Sequence, residues 1–190
     1  MRDAGVGRVL LASLHQGIAD ILPTRLGFYE SWLHAEGLRD GTIGLAPLYA
    51  VLSFLRQEGQ PYATITTSAG EYAAEWTVQS MGSFERSFLR AAPNWLRNRL
   101  VLRLAGRLVR ASYRRGSLGF KLRRNIATLD LRGSVFCDVR DPVDHALCGF
   151  YTAAFARLFA LFNVAATIGI TSCRATGGRA CTMTVTIEQG

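Results

Sequence analysis

The chain has 190 residues, of which 49% are apolar, and this length fits one domain with a substantial core. Its formal net charge of +8 comes from 21 arginines and one lysine set against 14 acidic residues. This composition excludes a disordered or low-complexity chain, and no run of about 18 apolar residues predicts a transmembrane span. We predict a single domain over residues 1–190, with helical parts at about 1–60 and 68–115 and a sheet part at about 118–188.

The first part of the chain is predicted to be helical. Apolar residues at spacings of three and four predict helices over residues 6–22, 24–35 and 45–58, the first closed by Pro23. The second of these helices has four residues that we expect to face inward: Leu26, Tyr29, Trp32 and Leu33.

A strand is predicted next, because β-branched residues alternate over Tyr62–Thr67. Ser68 and Glu71 match a capping box, so a helix is expected to begin at Ser68. A basic helical region follows from Ser83 to about Tyr113, and Pro93 is expected to break it.

The second part of the chain is predicted to contain most of the strands. Two or three strands are expected between Leu118 and Asp138, followed by a helix from Val143 to about Phe162. Two final strands, at 164–174 and 180–188, are expected to form a hairpin across a Gly-Gly turn. The order of elements lacks the strict alternation of a doubly wound sheet. It predicts an α+β fold, with several N-terminal helices packed on a small antiparallel sheet and a closing helix and β-hairpin.

Two motifs near the C-terminus carry a family resemblance. Gly149–Tyr151 (GFY) opens an aromatic helix, and seven residues separate Cys173 from Cys181 around Gly177–Gly178. With these motifs, residues 149–185 resemble the end of the 4-vinyl-reductase-like domain. That family shares its fold with the TRAPP trafficking subunits and, more distantly, with the haem-nitric-oxide-binding domain.

The resemblance implies a homodimeric domain that binds an apolar, aromatic or tetrapyrrole-like molecule as a sensor, carrier or accessory factor. It also implies two alternatives, an enzyme or enzyme subunit of (bacterio)chlorophyll, tetrapyrrole or aromatic metabolism, and a dimeric scaffold of the TRAPP type. In the sensor relatives, zinc is held by two cysteines at this spacing, a third cysteine and a glutamate. The last two positions fall on Asp144 and on Ile170, which cannot ligate a metal.

Zinc also follows as a candidate from the residue types, because tetrahedral zinc needs four N, S or O ligands. Cys173 and Cys181 flank the hairpin turn, so their side chains are expected to converge. The further candidate ligands are Asp144, His145, Cys148 and Cys137. Two other interpretations stay open, namely four buried thiols and a Cys173–Cys181 disulfide. With no secretion signal, we expect a bacterial cytoplasmic protein, at most peripheral at the inner membrane, and this reducing compartment disfavours the disulfide.

A ligand pocket is predicted beside the aromatic helix, although the same residues would also make an ordinary core. Its candidate lining residues are Tyr151, Phe155, Phe159, Trp76 and Met183. No catalytic residue is predicted, because the three histidines are far apart in sequence and match no catalytic motif.

An arginine stripe is predicted on the basic helix, at steps of three and four residues. It consists of Arg99, Arg103, Arg107, Arg110 and Arg114. A solvated face explains it most simply, while an anionic membrane surface, an anionic ligand and an acidic protein partner remain alternatives. Nucleic acid is not predicted as a partner, because the stripe has no helix-turn-helix frame or stacking platform.

Overall fold

The computed structural model describes residues 5–33 and 43–188. Within these residues, seven α-helices precede and interrupt a four-stranded antiparallel sheet, so the predicted α+β class is confirmed. The helices are α1 Arg8–Ile21, α2 Leu26–Leu33, α3 Leu45–Gln57, α4 Gln60–Gln79, α5 Ser83–Ala91, α6 Asn94–Ser112 and α7 Gly149–Leu161. The strands are β1 Ser117–Arg123, β2 Ile126–Arg132, β3 Ala166–Ser172 and β4 Cys181–Ile187.

Helix α4 occupies the segment in which a strand was predicted, so the prediction at Tyr62–Thr67 is wrong. Pro61 lies in the first turn of α4, where its missing N–H costs nothing. The β-branched side chains are tolerated because Ile65 is buried and the Thr66 hydroxyl donates to the Tyr62 carbonyl at 2.9 Å. Ser68 lies inside the helix, so the capping box predicted there is wrong as well.

Helix α4 lies between α1 and α7, and close backbone approaches fix both contacts. A Cβ atom on Gly70 of α4 would come 2.2 Å from the Phe150 carbonyl oxygen of α7. A Cβ atom on Gly17 of α1 would come 2.9 Å from the Ile65 carbonyl oxygen of α4. Larger residues at these glycines would force the helices apart, so α4 forms the centre of the helical layer.

The sheet has the strand order β1-β2-β4-β3, with every neighbouring pair antiparallel. Strands β3 and β4 form the predicted hairpin, and Leu131 of β2 pairs with Cys181 of β4. Alternate residues of the two central strands are buried, which places one face of the sheet against the helices. The third predicted strand, around Ser134–Val139, is wrong, because this segment forms a buried turn.

An irregular segment, residues 133–148, joins β2 to α7. The prediction that the last helix begins at Val143 is wrong, since α7 begins at Gly149. The Val143 N–H instead donates to the Ala175 carbonyl at 2.8 Å, which ties the segment to the β3–β4 turn. The Phe136 ring stacks on Phe150 with centroids 4.8 Å apart, so the segment also packs on the start of α7.

The predictions for the inward-facing residues of α2 and for the arginine stripe can be compared with the exposure of their side chains. Tyr29 and Leu33 of α2 are buried as predicted, but Trp32 is 38% exposed and was wrongly assigned to the core. All five arginines of the predicted stripe are exposed, and Arg114 lies two residues beyond the end of α6. No helix in the described ranges is both long enough and apolar enough to cross a bilayer.

Candidate metal centre

The four cysteines of the chain meet at one end of the sheet, although they lie in four different segments. Cys137 is in the turn after β2, and Cys148 immediately precedes α7. Cys173 directly follows β3, and Cys181 is the first residue of β4. All four are buried with free thiols.

The sulfur atoms are arranged at the spacing of a tetrahedral metal site. The Sγ atom of Cys148 lies 3.3 Å from that of Cys137 and 3.4 Å from that of Cys173, and the third edge of this triangle is 3.5 Å. The Cys181 Sγ completes the group, with all four atoms within 4.8 Å of one another. Four sulfurs around zinc at about 2.3 Å would be about 3.8 Å apart, so little movement is needed to bind the ion.

Glycines shape the turn that brings Cys173 to Cys181. Gly177 has a φ of +84°, in the left-handed region that side-chain-bearing residues rarely adopt. Gly178 has no room for a side chain, because a Cβ atom there would lie 2.6 Å from the Cys173 carbonyl oxygen. The Gly178 N–H donates to that oxygen at 3.0 Å, which closes the turn beside the cluster.

Buried hydroxyl groups without partners surround the cysteines. In the described residues, four buried side-chain hydroxyls lack a hydrogen-bond partner: Tyr62, Ser112, Ser134 and Tyr151. Three of these interact electrostatically with the cluster, Tyr62 and Tyr151 with several cysteines and Ser134 with Cys137. A buried donor without an acceptor is costly, whereas metal-bound thiolates accept hydrogen bonds. These hydroxyls therefore fit an anionic metal–thiolate group better than four neutral thiols.

The pKa values within the cluster favour one thiolate in the metal-free protein. Contacts with Cys137 and Cys148 hold the pKa of Cys181 well below its ordinary value, and the Arg174 backbone N–H, 3.4 Å from the Cys181 Sγ, adds to this effect. Contacts with Cys137 and Cys181, together with burial, raise the pKa of Cys148. A bound metal ion would counteract the raised pKa of Cys148, because a metal ion removes the protons of the thiols that bind it.

The other candidate ligands lie outside the cluster. Asp144 and His145 belong to the irregular segment, with side chains 95% and 64% exposed, and the His145 Nδ1 lies 2.6 Å from the Asp144 Oδ1. Ile170, at the position of the relatives' glutamate, is on β3 and 37% exposed. Cys137 and Cys148 therefore take the places of the third and fourth ligands, which the resemblance had assigned to the positions of Asp144 and Ile170.

The five predicted pocket residues differ in their burial. Tyr151, Phe155, Phe159 and Met183 are at most 1% exposed. Trp76 is half-buried on α4, where its ring stacks on Tyr72 with centroids 5.7 Å apart. Four of the five therefore form core, and the fifth lies at the edge of a helix.

A groove of about 830 Å³, which sequence reasoning missed, lies at the opposite end of β4 from Cys181. The first turns of α6, the β1–β2 turn, the segment after α7 and the end of β4 line it. It contains the guanidinium groups of Arg99 and Arg124, several asparagines and the Glu188 side chain. Asn98 is only 8% exposed, and its side chain has no hydrogen-bond partner in the described residues. This amide on an apolar helix face was the one signal in the sequence that could have indicated the groove.

Haem is the cofactor that the haem-nitric-oxide-binding relatives of this fold imply, and the described histidines do not fit it. A haem iron needs an axial His, Cys, Met or Tyr beside a slot for the macrocycle. The ring of His15 bonds to Glu30 and that of His145 to Asp144, both near the surface, while His34 lies outside the described residues. The cysteines contact one another, and the buried aromatic rings of the core pack together. Within the described ranges, neither histidine is therefore in place as an axial ligand for haem.

Solved H-NOX proteins nevertheless share this fold. An Fe(II) unliganded H-NOX protein mutant from K. algicida has a TM-score of 0.61 at 12% identity, over 97% of this chain and 98% of that one. The Fe(II)CO H-NOX domain from Shewanella oneidensis has a TM-score of 0.58 at 12% identity, over 97% and 99% of the two chains.

The Fe(II)NO form of an H-NOX protein from S. oneidensis has a TM-score of 0.54 at 11% identity, over 97% of this chain and 100% of that one. No protein-family model and no curated protein matches the sequence. These comparisons give no support to the narrower 4-vinyl-reductase or TRAPP resemblance. The chain has a haem-NO-binding-like fold, and at these identities the similarity concerns the fold alone.

Proposed function

We propose that this chain is a zinc-stabilised, non-catalytic domain whose four cysteines bind one Zn²⁺ ion. The observation that carries the proposal is the convergence of four buried Sγ atoms within 4.8 Å of one another. An all-sulfur tetrahedral set is typical of structural zinc, because it leaves no position for water or substrate. The unpartnered hydroxyls of Tyr62, Ser134 and Tyr151 support the proposal, since they are buried donors that metal-bound thiolates would accept.

Zinc in this position would join the irregular segment to the β3–β4 turn, which the Val143–Ala175 hydrogen bond already connects. Cys137 and Cys148 come from the irregular segment, whereas Cys173 and Cys181 come from the two ends of the β3–β4 turn. One ion would thus fix the segment onto the sheet and set the start of α7. Because the unfolded chain has no such site, the binding energy would appear as stability of the folded state.

Metal analysis of the full chain tests this proposal against the buried-thiol and disulfide interpretations. We expect one zinc per chain after purification without chelator, and four reactive thiols only after denaturation in the presence of chelator. Four thiols with no bound metal, even after incubation with zinc, would contradict the proposal. A mass two units lower, with two thiols lost, would indicate a disulfide instead.

A second proposed function, small-molecule binding, is favoured by the groove at the far end of β4. Arg99 and Arg124 have no acidic partner among the described residues, and Asn98 is an unpartnered donor and acceptor. Trp95 and Ile187 add apolar surface to the same groove. This mixture suits a small organic anion that carries a carboxylate or phosphate on an apolar body, with Glu188 limiting the net charge of the site.

Ligand binding is tested by native mass spectrometry and by thermal shift with a panel of aromatic carboxylates and phosphates. We expect a retained or stabilising anion whose effect is lost in Arg124→Gln and in Asn98→Leu. Arg110→Gln removes an arginine outside the groove and is the matched control. A panel without any effect on the wild-type chain would remove this second function and leave the zinc proposal standing.

Three further properties are proposed from the sequence: a tetrapyrrole-like ligand, a pocket around Tyr151 and Phe155, and a homodimer. Sedimentation of the purified chain tests the dimer directly. If a ligand copurifies, its absorption spectrum tests for a tetrapyrrole, and a Phe155→Ala variant tests whether it contacts the aromatic core.

A further inference from the structure

Three large aromatic side chains project into solvent from α5 and the start of α6. Phe84 is 84% exposed, Phe88 is 51% exposed, and Trp95 is 64% exposed. Phe84 and Phe88 are four residues apart and share one face of α5, whereas Leu89 is buried against the domain. Folding does not require these rings on the surface, so a partner that covers them is expected.

Several arginines lie on the same two helices as these aromatic rings. Arg86 and Arg90 are four residues apart on α5, and Arg99 and Arg103 continue along the exposed side of α6. None of these four has an acidic partner among the described residues, although Arg107 pairs with Glu85. From residue 83 to residue 115 the sequence has nine arginines and a single acidic residue, Glu85. We name Phe84, Arg86, Phe88, Arg90 and Trp95 the aromatic–arginine surface.

We propose that the aromatic–arginine surface docks the domain onto an anionic lipid bilayer. Helices that lie in the membrane interface combine Phe, Trp or Leu on one face with Lys and Arg on the opposite face. Helix α5 has this pattern, with Phe84 and Phe88 on one side and Arg86 and Arg90 on the other. The rings enter the headgroup and acyl boundary, where Trp is favoured, while the guanidinium groups contact lipid phosphates. The domain would bind at the surface of the bilayer without spanning it. This inference goes beyond the zinc and ligand proposals and depends on neither.

The charge of this surface favours a bilayer over a second copy of the chain. In a symmetric dimer the same patch meets itself, which would bring two strongly basic segments together, each with its single acidic residue, Glu85, already paired to Arg107. An anionic bilayer instead supplies many phosphates at once, together with a fluid apolar layer that accepts rings of any orientation. An acidic protein partner would need to present anionic groups and an apolar surface together in one fixed arrangement.

Vesicle co-sedimentation of the full chain tests the proposal. Vesicles of phosphatidylcholine with about one-third phosphatidylglycerol are compared with vesicles of phosphatidylcholine alone, at low salt and at about 0.5 M NaCl. We expect binding to the anionic vesicles, at least about tenfold weaker binding to neutral ones, and a strong reduction by salt. Trp95 fluorescence should shift to the blue on binding, and this shift should be lost in Trp95→Tyr.

Two double variants separate the contributions to binding. Phe84→Ser with Phe88→Ser should weaken anionic-vesicle binding at least about tenfold at unchanged net charge. Arg86→Glu with Arg90→Glu should weaken it by a similar or larger factor. Lys121→Glu with Arg123→Glu makes the same charge change on the exposed face of β1 and is the matched control. Circular dichroism and melting temperature check that each variant is folded.

Two results would overturn the proposal. One is equal binding by the wild-type chain and the Phe84/Phe88 variant, or an equal loss in the Lys121/Arg123 control, because binding would then depend only on net charge. The other is no binding to anionic vesicles together with self-association that the Phe84/Phe88 substitutions abolish. That outcome would assign the surface to contact between copies of the chain.

Discussion

The cysteine cluster and the aromatic–arginine surface depart from ordinary folding rules in opposite ways. The cluster buries four thiols and leaves hydroxyls such as Tyr151 without acceptors in the interior. The aromatic–arginine surface leaves Phe84 and Trp95 in water, although the chain has a large core that could bury aromatic rings. Buried polar groups are normally satisfied and large apolar patches are normally covered, so each region indicates a missing partner.

The two regions differ in the kind of partner and in how the chain builds the site. The cluster draws two cysteines from the irregular segment and two from the β3–β4 turn, which the fold brings together, and this arrangement suits a small ion held rigidly. The surface comes from one continuous stretch of α5 and α6, which suits an extended and adaptable partner such as a bilayer. In this chain, buried polar groups without partners therefore indicate a bound cofactor, whereas exposed aromatic rings indicate a surface that contacts a partner.

The largest effect is expected from removing one sulfur of the cluster. Cys148→Ser should abolish tight zinc binding and lower the free energy of unfolding by at least about 3 kcal/mol, because the ion binds only the folded state. Urea denaturation with and without chelator measures this effect. Chelator should destabilise the wild-type chain and leave the variant unchanged. A variant that keeps both its zinc and its sensitivity to chelator would show that Cys148 is not a ligand.

Removing one buried hydroxyl should have a smaller and metal-dependent effect. Tyr151→Phe should lower zinc affinity by about 10- to 100-fold, since a donor to the thiolates is lost. In the zinc-free protein the same change should be neutral or stabilising, because the unpartnered hydroxyl is no longer buried. Competition with a coloured chelator measures the affinity. Ser112→Ala removes the unpartnered hydroxyl that shows no interaction with the cluster, and an equal loss there would refute the role of Tyr151.

The stability of the zinc-free protein should pass through a maximum near pH 8.5, the ordinary pKa of a thiol. The lowered pKa of Cys181 contributes stability that is present above this pH and is lost as the pH falls. The raised pKa of Cys148 contributes stability that is present below this pH and is lost as the pH rises. Each thiol contributes at most about 1.4 kcal/mol per pH unit to these slopes, and the raised pKa of Cys137 adds to the alkaline slope.

Zinc should remove the alkaline part of this dependence, because the bound sulfurs are already ionised. Melting temperature from pH 7 to pH 10, with and without zinc, measures the difference. Identical profiles for the two forms would mean that the cysteines do not bind the metal. The window ends at pH 10 because tyrosines titrate above it.

The smallest effect on stability is expected at the aromatic–arginine surface. Phe84→Ala should change the free energy of unfolding by less than about 0.5 kcal/mol, because the ring is 84% exposed. Phe150→Ala is the matched comparison, a fully buried ring whose loss should cost about 3 to 5 kcal/mol. A large loss of stability at Phe84 in dilute protein would show that the ring already packs against part of the chain.

The sequence predicted the fold where the signals were local. Apolar periodicity located α1 and α3, Pro93 marked the break between α5 and α6, and the Gly-Gly turn located the β3–β4 hairpin. The prediction failed at Tyr62–Thr67, because burial of β-branched residues against α1 outweighs their strand propensity.

The candidate site was predicted only in part for a related reason. The pairing of Cys173 with Cys181 follows from a local turn, and Cys137 and Cys148 were candidates by residue type. Asp144 was a candidate because it falls at a ligand position of the sensor relatives, and His145 was a candidate by residue type, but the irregular segment leaves both exposed. The groove draws its lining from distant segments without a shared motif, so only the fold locates Asn98 beside Arg124.

X-ray absorption at the zinc edge of the purified full chain tests the central claim most directly. We predict one zinc per chain with four sulfur neighbours at about 2.3 Å and no nitrogen or oxygen neighbour. Mixed sulfur and nitrogen or oxygen coordination would show that a histidine, a carboxylate or water replaces one cysteine. A chain that binds no zinc at all would contradict the assignment of the cluster as a metal centre.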